Sequence, residues 1–371
     1  MSEVRPLAAA DIPAVAALFQ RVFRDPAKPP PAELAAYLDR HYLTAPGCDP
    51  RVAPLVHVGA AGTVTGFIGV NALPMVFGER RLVAAICGSL MVDPRAEDAM
   101  AAPRLLKSFL AGPQDLSFSE TASEVSAQMW TKLRGVALPD YSLDWGRLIR
   151  PASFLLDVAA SRLGAARLLA PLARGVDRVA RRRMQPGELR WSGVADGGEL
   201  KGGLVVRPLD AAGFAALIAP LTQHFAIRPA WDAAQRDHVL AEAAHKPEFG
   251  EPIFAAVETA RGAAVGAFLY HHRPGAIARV LQVLARPGQA EAVLDALIRD
   301  ATERGAAGLR GRTQPALLAA MLGRRIAFTH VASSVVHARD PEILAAFREG
   351  AAFVNGLAGE QWSRLVGGRF D

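Results

Sequence analysis

The sequence has little cysteine and contains no long uninterrupted run of hydrophobic residues. Its 371 residues include only Cys48 and Cys87, which are too few for a disulfide framework and show no metal-ligand spacing. The most apolar long stretch, residues 154–173, is interrupted by three charged side chains, which argues against a membrane span. No hydrophobic region follows Met1, so we expect no signal peptide and a reducing, cytoplasmic setting.

The composition is that of a chain with packed cores. Hydrophobic residues make up 51% of the sequence and charged residues 21%, which excludes an intrinsically disordered protein. The nine histidines are scattered, and the one adjacent pair, His271 and His272, precedes Arg-Pro-Gly, a pattern typical of a solvated turn. We therefore expect no metal. The length favours two domains over one.

The net charge of +6 is concentrated in one segment. Between Arg162 and Arg190 there are eight arginines and two acids, a balance that equals the net charge of the whole chain. A basic connector is a weaker sign of nucleic-acid binding than a basic folded face, so we expect no nucleic acid as a partner. We interpret residues 151–203 as a helical and Gly-rich connector. The alternative is peripheral contact of residues 162–190 with anionic lipid.

One stretch of the sequence occurs twice. Val4–Phe23 is VRPLAAADIPAVAALFQRVF, and Val206–Phe225 is VRPLDAAGFAALIAPLTQHF. The two stretches align without a gap, and each predicts a strand followed by a helix. The elements that follow have the same predicted order in both halves, β-α-α-β-β-β-α-β-α-β. We therefore predict an N-terminal domain over 1–150 and a C-terminal domain over 204–371.

Three predictions concern the ends of these halves. Residues 136–148 are predicted to be extended, and residues 329–337 are predicted to form one strand. The stretch DPEILAAFREG, residues 340–350, predicts a helix because Asp-Pro is a common helix start.

The element order and the loop after the fourth strand resemble the GNAT acyltransferase superfamily. In that family the fourth strand leads through Val-x-Pro-x-x-Arg-Gly-x-Gly-x-Gly/Ala into a helix that carries Leu-Leu. Here VDPRAEDAMAAPRLL, residues 92–106, has the matching length. SEVSAQMWTKLRG, residues 123–135, resembles a later helix of the family, with Trp130 in place of a tyrosine. The resemblance implies an α+β fold of two GNAT-like domains, each a twisted, mostly antiparallel sheet flanked by helices, joined by the basic connector.

The resemblance also implies that acetyl-CoA or another acyl-CoA binds in the first half as the acyl donor. Main-chain N–H groups at a helix N-terminus can hold a pyrophosphate, and small side chains let the phosphates approach. The predicted binding residues on the fourth strand, in the loop and on the next two helices are Leu90, Met91, Val92, Arg95, Ala99, Met100, Ala101, Ala102, Arg104 and Trp130.

The loop departs from the family pattern in its charge. Glu97 and Asp98 stand where the family has Arg-Gly, and two carboxylates repel a pyrophosphate unless they point away from it. We expect Arg95 and Arg104 to compensate. In the second half, VLARPGQAEAVLDAL, residues 283–297, has a loop about four residues shorter. We therefore expect the second half to be a scaffold or a wall of the acceptor site.

Acyl transfer to an amine needs a group that takes the amine's proton and a group that protonates the departing thiolate. Glu120, at the end of the fifth strand, is the first candidate base, and Glu124 is the second. Trp130 cannot give up its N–H proton near neutral pH, so Tyr141 is a candidate acid. Each also has a structural interpretation: Glu120 as an exposed strand-end carboxylate, Glu124 as a charge on the first helical turn, and Tyr141 as a half-buried aromatic.

The function implied by the resemblance is CoA-dependent N-acyl transfer to an amine of a small molecule or peptide, by a monomer or homodimer. The whole chain is similar to uncharacterised bacterial tandem-GNAT proteins, through GPQDLSFSETAS (112–123), YSLDW (141–145) and GEQWSRL (359–365). Two alternatives stay open. One is a tandem-GNAT binding or scaffold protein without catalysis, and the other is an aminoacyl-tRNA-dependent amino-acid transferase whose arginine row would hold RNA.

Overall fold

The structure, a computed structural model, describes residues 2–96, 98–160, 168–182, 194 and 200–370. Within them the chain forms an eight-stranded and a seven-stranded β-sheet, with α-helices packed against them. The predicted α+β class is confirmed. No helix in the described part of the chain is long and apolar enough to cross a membrane.

The first half contains seven strands and five helices. In chain order these are β1 (Glu3–Pro6), α1 (Ile12–Phe23), α2 (Ala32–Asp39), β2 (Leu55–Val58), β3 (Val64–Phe77), β4 (Arg80–Val92), α3 (Ala101–Leu110), β5 (Leu116–Ala122), α4 (Glu124–Lys132), β6 (Val136–Ala137), α5 (Pro139–Ser142) and β7 (Leu143–Leu148). Helix α1 buries one face because Val15, Leu18 and Phe19 recur at helical spacing. The predicted extended segment 136–148 is wrong in its middle, where Pro139 begins the short helix α5.

Two helices, α6 (Pro151–Ala160) and α7 (Ala170–Arg182), form the described part of the predicted basic connector. The Asp177 side chain on α7 is buried and accepts hydrogen bonds from the N–H groups of Ala152 and Ser153, both at 2.9 Å. These two N–H groups belong to the first turn of α6, which has no helical partner for them. The two helices therefore pack as a hairpin held by an internal cap.

The second half has the order of the first, except that it adds a short strand between its first two helices, places its last two strands next to each other in sequence and ends in an additional helix. Its elements are β8 (Val205–Leu209), α8 (Ala211–Thr222), β9 (Ile227–Pro229), α9 (Ala233–Ala244), β10 (Glu251–Glu258), β11 (Ala264–His272), β12 (Ile277–Ala285), α10 (Ala290–Glu303), β13 (Gly308–Arg312), α11 (Pro315–Met321), β14 (Ile326–His330), β15 (Ser333–Ala338) and α12 (Pro341–Arg348). Asp340 caps α12 through the N–H of Glu342, so the Asp-Pro prediction is confirmed. The predicted single strand 329–337 is wrong, because β14 and β15 are separate strands in different sheets.

The first sheet contains β15 and the short strand β9 from the second half of the chain, and the second sheet contains β7 from the first half. The first sheet has the order β1-β2-β3-β4-β5-β15-β6, with β9 also paired to β3, and the second has the order β8-β10-β11-β12-β13-β7-β14. Strand β15 pairs antiparallel with β5, with Val335 opposite Ser119. Strand β7 pairs antiparallel with β13, with Trp145 opposite Gly311. Apart from β9, the two sheets have the same order, because the last strand of each half, β7 or β15, pairs in the sheet of the other half. This exchange crosses the predicted domain boundaries.

The last twenty described residues, Ala351–Phe370, form no long helix or strand, yet most of them are buried. We call them the C-terminal segment. Phe353 and Trp362 pack with α8 and α9 of the second half. Leu365 and Phe370 pack with α1 and α2 of the first half. The C-terminal segment therefore contributes to the cores of both halves.

Candidate functional site

Strands β4 and β5 are parallel neighbours that separate after a short pairing. They pair only where Ala84–Ile86 lies beside Leu116–Phe118. Beyond this point β4 carries a bulge, shown by a register shift against β3 and by φ of 57° at Ser89. A bulge bends a strand away from its neighbour. We call the space between Cys87–Val92 of β4 and Ser119–Ala122 of β5 the first opening.

The predicted strand residues Leu90, Met91 and Val92 lie on this separated end of β4. Met91 is buried and pairs with Phe67 of β3. Leu90 and Val92 are partly buried and pack against the cluster that contains Trp130. The structure therefore brings the predicted strand and helix positions together on one side of the first opening.

Trp130 lies in the interior of this cluster. Its side chain is fully buried, with the Phe109 ring at 6.0 Å in an edge-on arrangement. Within the described part of the chain its indole Nε1 is buried and has no hydrogen-bond partner. A buried N–H donor without a partner is costly. Because the Trp130 side chain has no exposed surface, it presents no group to a ligand in this structure, and its predicted binding role stays a prediction.

The loop between β4 and α3 binds its own two aspartates. Asp98 accepts a hydrogen bond from the N–H of Met100, an exposed residue, at 2.9 Å, and it pairs with Arg104 at 3.0 Å. Asp93 accepts from the N–H and the guanidinium of Arg95, at 3.0 and 3.2 Å. The Arg95 side chain lowers the pKa of Asp93, and the Met100 N–H lowers the pKa of Asp98. Arg95 and Arg104 thus neutralise acids within the loop.

Small side chains occupy the start of α3. Ala99 is exposed, Ala102 is half-buried, and Ala101 is buried with its N–H donated to Asp98 O at 3.1 Å. The carboxylate of Asp98 therefore lies at the positive end of the helix dipole, where a phosphate would also be attracted. An incoming anion would have to displace this carboxylate or bind beside it. Glu97 lies outside the described residues.

Two buried glutamates close the first opening from the side of the C-terminal segment. The Glu360 carboxylate accepts hydrogen bonds from Glu120 N–H at 2.5 Å, from Thr121 Oγ1 at 2.6 Å and from Ser119 Oγ at 2.8 Å. In return the Glu120 carboxylate accepts from Glu360 N–H at 2.6 Å and from Gly356 N–H at 3.3 Å. Each glutamate thus binds the main chain of the other. This pair fixes the C-terminal segment against β5.

Burial changes the proton affinity of both carboxyl groups. Desolvation raises the pKa of Glu120 to about 7, against the lowering effect of the nearby Arg312 guanidinium. Desolvation also raises the pKa of Glu360, although hydrogen bonds from Thr121 and Ser119 oppose it. A carboxylate whose proton affinity is raised is a stronger base near neutral pH. Both groups have this property, and access to an incoming amine distinguishes them.

The three predicted catalytic residues lie in different settings. The oxygens of Glu120 both bind the C-terminal segment, so its geometry favours a structural role over that of an accessible base. Glu124 lies on the first turn of α4 and lines an open surface groove with Lys132 and His330. Tyr141 is buried and donates its hydroxyl to Ala352 O at 3.0 Å. Their catalytic roles stay predictions.

A small cavity beside the first opening brings together two residues that the sequence reasoning missed. Tyr42 and Glu360 both line it, with Gly88 and Ser89 of β4. Its volume is about 20 Å³, room for about one water. Tyr42 lies in an apolar helical pattern that predicts only core packing, and Glu360 lies in a segment without periodicity. No sequence signal could have placed either residue at the first opening.

A second cavity of about 30 Å³ adjoins the first. The two share the side chains of His41, Asn71, Ile86 and Trp362. Burial lowers the pKa of His41 to about 3, so this ring is neutral at pH 7. The two cavities are therefore small and mostly uncharged, and the Glu360 carboxylate lines the first of them.

The equivalent position in the second sheet is filled by main chain. Strands β12 and β13 pair over Ile277–Arg279 and then separate. In this second opening, Leu357 N–H donates to Gln282 Oε1 at 3.0 Å, and Gly356 has φ of 63°. A Cβ added at Gly356 would lie 2.4 Å from Leu281 O. There is no room for a ligand between these strands.

Within the described ranges, no three His, Cys, Asp or Glu side chains are arranged to hold a metal ion. The groups that the described residues place around the first opening are two carboxylates, a phenol and main-chain N–H groups.

Comparison with known proteins shows the fold. No family model matches the chain, and no curated protein matches it. A protein of unknown function from Enterococcus faecalis V583, described as a probable N-acyltransferase, matches with a TM-score of 0.58 at 10% identity, over 91% of this chain and 72% of its own. GCN5-related N-acetyltransferases from Anabaena variabilis ATCC 29413 and Kribbella flavida match with TM-scores of 0.56 and 0.52 at 9% and 13% identity. Each covers 92% of this chain, and 74% and 72% of its own length. The chain has a GNAT-like fold.

Proposed function

We propose that this protein is an N-acyltransferase that takes an acyl group from a CoA thioester at the first opening and passes it to an amine of a small molecule or peptide. The observation that carries the proposal is the separation of β4 from β5 after Ile86, beside a bulge and next to the start of α3. The fold shared with the structural neighbours supports the general class of activity.

The residues around the first opening fit an acyl-CoA in part. The separated edge of β4, over Cys87–Val92, offers main-chain groups to the amide-containing arm of the coenzyme. The start of α3 suits a pyrophosphate, but only after Asp98 gives up the N–H of Met100. Bound CoA would supply an activated acyl group. The guanidinium groups of Arg95 and Arg104, which pair with Asp93 and Asp98 in the structure, would then pair with a phosphate instead.

Glu360 is the residue that we propose as the base. Its Oε1 accepts three hydrogen bonds from β5, whereas its Oε2 accepts one, from Thr121. A Cβ built on Gly88 would lie 3.6 Å from Oε2, which therefore faces β4 across the first opening. This oxygen has lone pairs left for a proton from an amine that enters along the cavities. Glu120 would act through Glu360, as a positioning residue.

Tyr42 is the matching hydrogen-bond donor. Its hydroxyl lies beside Gly69, where an added Cβ would be 2.1 Å away, and its ring lines the same cavity as Glu360. Burial raises the pKa of Tyr42, which makes the phenol a weaker acid, so at neutral pH it stays protonated and its role would be to donate a hydrogen bond to the departing thiolate. A main-chain N–H on the separated end of β4 would polarise the thioester carbonyl.

Titration calorimetry with acetyl-CoA, followed by thiol release across a panel of amines, tests this proposal. We expect one molecule of acetyl-CoA per chain and thiol release with at least one amine. Glu360→Gln should slow thiol release about a hundredfold while acetyl-CoA still binds, because general-base catalysis typically contributes about that factor. The matched control is Glu349→Gln, an exposed change in the same part of the chain. No heat at high micromolar acetyl-CoA and no thiol release would contradict the proposal.

A second candidate function is a binding or scaffold protein without catalysis. It is favoured by the two cavities on the acceptor side, each with room for about one water, and by the Asp98 carboxylate at the start of α3. This candidate predicts that acetyl-CoA binds, or fails to bind, with no thiol release for any amine. Acylation of one amine at a rate that Glu360→Gln reduces would exclude it.

A further inference from the structure

The α6–α7 hairpin exposes an unusual amount of apolar surface. Thirteen large hydrophobic side chains are exposed in the described part of the chain, and seven of them lie between residues 155 and 179. Their exposed fractions are between 43% and 83%. They are Leu155, Val158, Leu168, Leu169, Leu172, Val176 and Val179. A concentration of this kind on one element is typical of a contact surface.

The exposed apolar residues of α7 share one face of the helix. Leu168, Leu172, Val176 and Val179 follow one another at intervals of four, four and three residues, which places them in one row. Asp177, on the inner face of α7, is buried against the first turn of α6. The apolar row therefore points away from the body of the protein.

Charge on the hairpin is divided in the same way. Arg178 and Arg182 are exposed and form a second row on the polar side of α7, whereas Arg174 lies on the side opposite Leu172 and Val176, with its side chain near Gly275. The two described acids of the hairpin are bound internally: Asp177 caps α6, and Asp157 accepts a hydrogen bond from Ile277 N–H at 2.9 Å. The outward charge of the described hairpin is consequently positive. In the sequence, further arginines flank it on both sides.

The apolar surface continues from α7 toward the second sheet. Leu155 and Val158 of α6, together with Phe154 and Trp145, line a cavity of about 680 Å³ between α6 and the sheet. An apolar row bordered by arginines, with an apolar cavity beside the same hairpin, is suited to the boundary between lipid headgroups and acyl chains.

We propose that the α6–α7 hairpin binds an anionic membrane surface, with the apolar row of α7 inserted among the lipid chains and the arginine row facing the headgroups. This inference is independent of the acyltransferase proposal. A second copy of the chain is a poorer occupant, because a two-fold contact through α7 would place the same basic helix against itself. An anionic lipid surface complements both rows.

Co-sedimentation of the full-length protein with vesicles tests the inference. We expect binding to phosphatidylcholine vesicles that contain phosphatidylglycerol, little binding to phosphatidylcholine alone, and weaker binding as salt is raised. The double change Arg178→Gln with Arg182→Gln should weaken binding roughly tenfold or more, since each arginine near such a surface makes a substantial contribution. Leu172→Gln with Val176→Gln should weaken it by a similar factor, and it should also lower binding at high salt.

The matched control changes exposed residues elsewhere. Val205→Gln with Leu322→Gln removes comparable exposed apolar surface outside the hairpin and should leave vesicle binding unchanged. Thermal melts of all variants should coincide, because each changed side chain is exposed. The inference is overturned if the protein ignores both vesicles, or if the hairpin variants bind as the native chain does. It is also overturned if the same variants abolish a dimer in analytical ultracentrifugation without changing vesicle binding.

Discussion

The two openings arise from the same strand order, and they differ in what fills them. The first has a loop of eight residues between β4 and α3, and the second has a loop of four between β12 and α10. The C-terminal segment enters both. It meets the first with the Glu360 carboxylate and the second with the main chain at Gly356. A side chain can move to admit a ligand more readily than buried main chain, so of these two openings the first is better suited to the proposed acyl carrier.

An electrostatic interaction between residues at equivalent positions of β5 and β13 links the two openings. In β5 the last residue paired with β4 is Phe118, and in β13 the last residue paired with β12 is Arg310. Glu120 and Arg312 each lie two residues further on, so they occupy matching positions in the two strands. Both are buried, and the charge of Arg312 opposes the rise in the pKa of Glu120. Arg312 also donates to Ala332 O at 2.8 Å, just before the exchanged strand β15. Charge and strand exchange therefore tie the two halves at the point where the C-terminal segment passes.

The largest expected effect comes from the glycines of the two openings. Gly356→Ala should lower the free energy of unfolding by about 3 kcal/mol, because the new Cβ meets Leu281 O and φ is positive. Gly88→Ala in the first opening should change it by less than about 1 kcal/mol, because its Cβ would be in ordinary contact with Glu360. Urea unfolding of both variants checks this. Equal losses would mean that the two openings are equally closed.

The pH dependence of stability gives the next effect. The pKa of Glu120 is raised from 4.5 to about 7 in the folded chain, so the folded state holds this proton more tightly. Stability should therefore fall as pH rises through that window. Relative to Glu120→Gln, which cannot ionise, the native chain should lose on the order of 2 kcal/mol between about pH 5 and about pH 8.

Urea unfolding at a series of pH values measures this difference. Taking it relative to the variant removes the contribution of the histidines and leaves that of the Glu120–Glu360 pair, because the two carboxyl groups interact. Parallel stability curves for the native chain and Glu120→Gln would contradict a raised pKa of Glu120, and with it the buried contact between Glu120 and the C-terminal segment.

The smallest expected effect is a difference in acetyl-CoA affinity between a change at the N-terminus of α3 and a change at the N-terminus of α10. Asp98→Ala should tighten acetyl-CoA binding about tenfold, because it removes a carboxylate from the place where a phosphate would bind. Glu291→Ala, at the first turn of α10 in the second half, should leave affinity unchanged. Calorimetric titration of both variants checks the contrast. Weaker binding in Asp98→Ala would show that the aspartate orders the loop for the coenzyme instead of competing with it.

Local pattern was enough to predict the fold class. The repeat at Val4 and Val206 and the alternation of apolar residues place strands and helices in their order, because those signals depend on near neighbours in the chain. The shorter loop after β12 was also predicted, and it is confirmed. The exchange of β7 and β15 was not, because period-two alternation determines the face of a strand and not its partner.

The candidate site was predicted in part for a related reason. The carrier side is contiguous in sequence, from Leu90 to Arg104, so its motif could be read directly. The acceptor side is assembled from Tyr42, from β4 and from Glu360, which lies more than 200 residues beyond Glu120. Such contacts exist only in the folded chain. The prediction of Glu120 as a base named the strand end that Glu360 contacts, and its catalytic role stays a prediction.

A crystal structure with acetyl-CoA tests the central claim most directly. The account predicts density along the separated edge of β4, with the pyrophosphate at Ala99–Ala102, the Asp98 carboxylate displaced from Met100 N–H, and the second opening still filled by Gly356 and Leu357. At saturating acetyl-CoA, an unchanged Asp98 with no ligand beside β4, or a ligand between β12 and β13, would contradict it.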